Sequence, residues 1–141
     1  MLSVWVAGLG SEVLAAGTVE IFLGEKRATL SLLPIREREY LPLDKTVKVL
    51  QGRYRELSGR RVEVMVEGIS FLLREGIDKV SRDGREQISL SAPILFVRGE
   101  WAVPMDLFSI FLRSKYGDKV WWDKEGRRVR VGQTSYSVIR L

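Results

Sequence analysis

Apolar and polar positions alternate with a period of two over most of this chain, and twice the alternation gives way to a period near 3.6. Thr18 to Leu23 is a short run rich in β-branched and aromatic residues, Gly24-Glu25-Lys26 is a turn, and Arg27 to Leu33 resumes the alternation before Pro34. The pattern predicts a hairpin. It returns at Ile77 to Ser81, a turn at Asp83-Gly84, and Glu86 to Ala92 before Pro93, with Pro34 and Pro93 separated by 59 positions. Further on, Leu41-Pro42-Leu43-Asp44 corresponds to Val103-Pro104-Met105-Asp106. The same offset of 62 relates Leu50 to Leu112 and Tyr54 to Tyr116.

After each prolyl strand end the period becomes helical. Val47, Leu50 and Tyr54 fall on one face, as do Phe108, Phe111 and Leu112. Asp44 and Asp106 are placed to act as N-caps, and Gly117 is placed to close the second helix. Lys119 to Trp122, a turn in Asp123-Lys124-Glu125-Gly126 and Arg127 to Val131 then form a hairpin, with Val120, Trp122, Val129 and Val131 facing inward. Arg61 to Val66, Glu67-Gly68 and Ile69 to Leu73 hold the matching place in the first half. The expectation is an α+β fold of two hairpin-helix-hairpin repeats, residues 18–76 and 77–141, with antiparallel sheets each wrapped on a short helix. Its core would hold Val47, Leu50, Phe108, Phe111, Leu112, Val120 and Trp122.

Composition narrows the chemistry. At 141 residues and 45% apolar, the chain has room for one core. It contains no histidine and no cysteine, which removes disulfides, thiol nucleophiles, imidazole bases and His or Cys metal sites together. Neither a metal nor another cofactor is expected. A net charge of +5 favours anionic partners, although most of the basic residues are interleaved with acids, as in Arg36-Glu37-Arg38-Glu39. Only Arg127, Arg128 and Arg130 form a tight basic group.

Residues 1–17 read as a signal peptide. An apolar stretch from Leu2 to Leu9 is followed by the small residues of Ala15-Ala16-Gly17, but no basic residue precedes it. An ordinary buried strand and turn is the competing reading. The stretch is too short to span a bilayer, which needs about 20 residues. Val4 to Ser11 also imitates the start of a dinucleotide-binding turn, yet the third glycine is replaced by Val13 and no crossover helix follows.

The second unit carries a family pattern. Gly99-Glu100-Trp101-Ala102-Val103-Pro104-Met105, a helix to Tyr116-Gly117, and Lys119-Val120-Trp121-Trp122-Asp123 resemble the copper amine oxidase N-terminal-like domain. The first unit keeps Tyr40-Leu41-Pro42-Leu43 but lacks the helix-end glycine and the Trp-Asp pair, and resembles a diverged copy. Asp44 and Asp106 stand where the family often has Arg. The resemblance implies antiparallel sheets around a helix, an extracytoplasmic location in the secreted or cell-envelope fraction, and an accessory role beside wall hydrolases, surface-layer proteins or oxidases. A copper centre is not carried over, because imidazole ligands are missing.

Candidate site residues lie in the last hairpin. Trp121 alternates outward, opposite Arg128 if the turn keeps four residues, with Arg130 on the same face. An exposed indole flanked by guanidinium groups suits a sugar ring bearing an anionic substituent, as in peptidoglycan or another anionic wall polymer. An intramolecular Trp-Arg stack, or packing of Trp121 on the other repeat, accounts for the same residues without a ligand. No catalytic set emerges: Glu37 and Glu39 sit among arginines, Glu63 alternates with valines, and no Ser-x-x-Lys string exists. The expected function is thus a non-enzymatic binding or spacer module, whose partner is a wall glycan or another envelope protein. Single-stranded nucleic acid bound through Trp121 and Tyr136 is the alternative, although the ribonucleoprotein motifs are missing and an exported chain would not meet nucleic acid.

Overall fold

Turn chemistry sets the course of the chain over residues 17–132, the part that the computed structural model describes. Strands β1 (Thr18–Leu23) and β2 (Lys26–Ser31) meet through Gly24-Glu25, with Gly24 at φ 66°. Strands β3 (Leu33–Ile35) and β4 (Arg38–Pro42) form a second hairpin, and helix α1 (Leu43–Val49) follows directly. Then come β5 (Arg53–Leu57), β6 (Arg61–Val66) and β7 (Ile69–Arg74), a meander continued by β8 (Lys79–Arg82) and β9 (Glu86–Ser89). Strands β10 (Leu95–Val97) and β11 (Glu100–Pro104) lead into helix α2 (Met105–Tyr116), and β12 (Val120–Trp122) and β13 (Arg128–Val131) close the described chain.

The strands make three sheets, in the orders β9-β8-β7-β6-β5, β10-β11-β4-β3 and β12-β13-β1-β2. The α+β class holds, with sheets that are mostly antiparallel. Every sheet combines strands from residues 18–76 with strands from 77–141, so neither half wraps a sheet of its own around its helix. The physical reason is edge satisfaction: β7, β4 and β1 would each leave a row of unpaired backbone groups, and the other half supplies the missing strand. In the second sheet Leu41 pairs with Val103, flanked by Tyr40 with Pro104 and Pro42 with Ala102. In the third, β13 runs parallel to β1, from Arg128 beside Glu20 to Val131 beside Leu23.

One apolar cluster fills the space between sheets and helices. Leu43 and Val47 of α1, and Leu107, Phe108, Phe111 and Leu112 of α2, are buried in it together with Leu50. Phe71 of β7 meets Phe111 edge-on, with ring centres 5.1 Å apart. Segment 91–93 is tied to the first half by Tyr40 Oη, which donates to the Pro93 carbonyl at 2.9 Å, and by Arg38, which donates to the Ser91 carbonyl at 3.1 Å. Desolvation of Tyr40 raises its hydroxyl pKa and keeps it a donor.

Three expectations need correction. Tyr54 is not on α1, which ends at Val49; it stands half-exposed on β5. Asp44 and Asp106 do not cap: Pro42 and Pro104 precede the helices, so the acids sit inside the first turns. Asp106 instead accepts from the amide and hydroxyl of Ser91 at 2.7 and 3.2 Å. Val120 and Trp122 are only half-buried, since β12 is a three-residue edge strand that packs against the core from outside. Arg36-Glu37, in the mixed charged run, is exposed as a two-residue turn with both residues at positive φ (53° and 66°).

Gly52 explains how α1 can end so abruptly against β6. Its amide bonds the Val47 carbonyl at 2.9 Å, and a Cβ there would lie 2.5 Å from the Met65 carbonyl oxygen. Backbone cannot yield as a side chain does. Gly52→Ala is expected to destabilise the fold by about 1–3 kcal/mol in denaturant titration; an unchanged or raised midpoint would show that this close approach is wrong.

Candidate functional site

The outer face of the β12-β13-β1-β2 sheet is where the sequence-predicted residues come together. Alternation sends Val129, Val131, Val19 and Ile21 into the core and their neighbours outward. Register then aligns the outward side chains across the strands. Trp121 faces Arg130, Arg130 lies beside Phe22, and Phe22 faces Arg27. The row therefore reads aromatic, guanidinium, aromatic, guanidinium. The next row holds Arg128 beside Glu20 and Glu20 opposite Thr29. Trp121, Arg130, Phe22, Arg27, Arg128 and Glu20 line one open depression of about 540 Å³.

Trp121 is 52% exposed, the largest exposure among the aromatic side chains of the described residues. Gly132 makes room for it: a Cβ at Gly132 would lie 2.6 Å from Lys119 Cβ and 3.2 Å from the Trp121 ring. An intramolecular cation–π stack on Trp121, one of the two readings of this residue, is not among the contacts of the described residues, which are Arg60 over Phe96 and Lys115 over Tyr116. Arg128 Nε donates to Glu20 Oε1 at 3.1 Å, and Arg27 approaches Glu20 Oε2 at 3.7 Å. Arg130 has no ion-pair partner among the described residues. Three guanidiniums, of Arg27, Arg128 and Arg130, against the carboxylates of Glu20 and Asp123 leave the depression positive. Arg127 does not join it, being engaged by Glu39.

The expected facing of Trp121 and Arg128 is corrected by two residues. The Asp123 amide bonds the Arg128 carbonyl at 2.9 Å, and the Asp123 carboxylate accepts from the amides of Arg127 and Arg128 at 2.9 and 3.2 Å. Arg127 is thus drawn into the loop, and β13 begins at Arg128. A shift of two preserves which face each side chain takes, so Trp121, Arg128 and Arg130 still share a surface. Phe22, Arg27 and Glu20 had not been singled out. Alternation in Thr18 to Leu23 sets Glu20 and Phe22 opposite Val19 and Ile21, but nothing local announces that β13 will lie beside β1.

Asp123 and Glu63 titrate below their ordinary values. For Asp123, desolvation pushes upward but is outweighed by the amides of Arg127, Arg128 and Gly126 and by the Arg128 charge. For Glu63, hydrogen bonds from Arg55 and Ser70, each 2.8 Å, hold the carboxylate ionised. A folded pKa below the unfolded one adds stability that is complete above the ordinary values of 3.8 and 4.5 and is lost as pH falls through the folded values. The melting temperature should therefore drop between about pH 5 and pH 3, less steeply in Asp123→Asn than in wild type. Parallel curves would remove Asp123 from this account.

Among the described residues, Glu37 lies in a turn, Glu39 is engaged by Arg127, and Glu63 is engaged by Arg55 and Ser70. No group of three His, Cys, Asp or Glu residues that could hold a metal ion occurs there. No helix of the described residues is long and apolar enough to cross a membrane. Residues 1–16 of the proposed signal segment 1–17, and Tyr136, lie outside the described residues. No family model matches the chain, and no curated protein or solved structure matches it significantly.

Proposed function

We propose that this chain is a non-catalytic, extracytoplasmic accessory module of the copper amine oxidase N-terminal-like kind, whose outer sheet face binds anionic cell-wall glycan. The observation that carries this reading is the alignment of Trp121, Arg130, Phe22 and Arg27 in one row on an exposed, positive face. Stacking surfaces and guanidinium forks are the groups that hold sugar rings and their anionic substituents. The copy relation is proposed as well: Leu41 and Val103, equivalent at the offset of 62, are themselves β-partners. Tyr40 with Pro104 and Pro42 with Ala102 exchange places about them, as a two-fold relation between two similar units requires.

Binding of this kind is electrostatic in part, so it weakens when salt shortens the screening length from about 10 Å at 0.1 M toward about 3 Å at 1 M. The full chain is expected to sediment with insoluble peptidoglycan at low salt and to be released as salt rises. Failure to sediment at low salt would end the wall-glycan reading and leave a spacer or protein-docking unit.

A further inference from the structure

The site has a spacing as well as a composition. Neighbouring strands lie about 4.8 Å apart, so the four in-register positions span roughly 14 Å, and the two aromatic rings are rooted roughly 10 Å apart. A guanidinium stands between them and another beyond. A flexible anionic chain would need no such order, and a neutral glycan would need no charge at every second position. An extended β-linked glycan advances by about one pyranose-ring length per sugar, comparable to the strand spacing of about 4.8 Å. Laid across the strands, it places successive sugars over Trp121, Arg130, Phe22 and Arg27 in turn.

Resting on the wall-glycan reading above, we propose that this face recognises a glycan in which a neutral amino sugar alternates with a carboxylate-bearing sugar, read as a tetrasaccharide running perpendicular to the strands. The neutral rings stack on the exposed Trp121 and on the half-buried Phe22, both of which line the depression. The carboxylates meet Arg130 and Arg27. Arg130 is free of ion pairs among the described residues, and Arg27 is held only loosely by Glu20 at 3.7 Å. Glu20 and Arg128 in the next row form their own hydrogen-bonded pair, so that row adds little charge and the anions are directed to the first. The row begins at an edge strand, β12, and ends at the other edge, β2, so both ends of a longer glycan can pass beyond the sheet.

The test compares three tetrasaccharides by calorimetry with the full chain at low salt. One is wall glycan stripped of peptide, in which N-acetylglucosamine alternates with the lactyl-bearing N-acetylmuramic acid; chitotetraose has a similar backbone without carboxylates; tetragalacturonate carries one on every ring. The alternating compound should bind about tenfold or more tighter than either of the others, and about tenfold tighter than its own disaccharide. Arg27→Gln and Trp121→Ala should each weaken it about tenfold, whereas Arg55→Gln, on the five-stranded sheet, should leave it unchanged. Equal binding of chitotetraose, or tighter binding of tetragalacturonate, overturns the alternation and leaves the broader reading standing if intact peptidoglycan is still sedimented. Loss of affinity in Arg55→Gln equal to that in Arg27→Gln overturns the assignment to this face. If no tetrasaccharide binds and peptidoglycan is not sedimented, the wall-glycan reading falls as well.

Discussion

Phe111→Ala is expected to be the most damaging single truncation on α2, lowering stability by about 3–5 kcal/mol. Phe111 is fully buried and its ring meets Phe71 edge-on, so the change removes the apolar contact of a whole ring and leaves a cavity between α2 and the five-stranded sheet. The sheet cannot close on that space, because β6 and β7 are held in register over six residue pairs. The melting temperature should fall by roughly 10–20 °C for a chain of this size. Trp122→Ala, at a half-buried edge position where the indole meets Phe108 edge-on, should cost clearly less, and Trp121→Ala no more than about 0.5 kcal/mol. Should Trp121→Ala prove as costly as Phe111→Ala, Trp121 packs inside and the outer face is misassigned.

Trp121→Ala should have the opposite profile in binding. The indole face is the apolar platform for a sugar ring, so affinity for wall glycan should fall about tenfold while the fold is kept. A side chain that is 52% exposed and lies over Gly132 has little packing to lose and a broad face to offer. Phe111→Ala, measured below its lowered melting temperature, should leave affinity nearly unchanged. A Trp121→Ala protein that binds as tightly as wild type would mean that charge alone, or another surface, holds the ligand.

Much of the local structure was legible because it is written in short-range patterns. Asp83-Gly84 and Glu67-Gly68 turn where φ must be positive, Val129 and Val131 face inward from a period-two strand, and Phe108, Phe111 and Leu112 share a helical face. The turn at Arg36-Glu37 was missed for the same reason. Neither residue is the glycine or asparagine that usually marks a left-handed position, and the strain is carried by the short β3–β4 hairpin. Tyr54 was drawn onto the helix by its offset from Tyr116, but Gly52 and the Met65 carbonyl stop α1 after about two turns, before the third on which Tyr54 would lie.

The candidate site was half legible. Trp121, Arg128 and Arg130 belong to one hairpin, and their shared face follows from alternation over a few residues. Phe22, Arg27 and Glu20 reach that face only through the parallel pairing of β13 with β1, a contact between residues more than a hundred positions apart. Such pairing depends on which edge remains open once the core has formed, and neither strand signals it by itself.

The most direct measurement is chemical-shift mapping of the isotope-labelled full chain titrated with soluble wall glycan at low salt. The shifts should concentrate on the Trp121 indole and on the amides around Phe22, Arg27, Arg128 and Arg130, and should reverse as salt is raised. Shifts centred on the five-stranded sheet around Tyr54 and Arg55, or none anywhere at low salt, would contradict the proposed binding face.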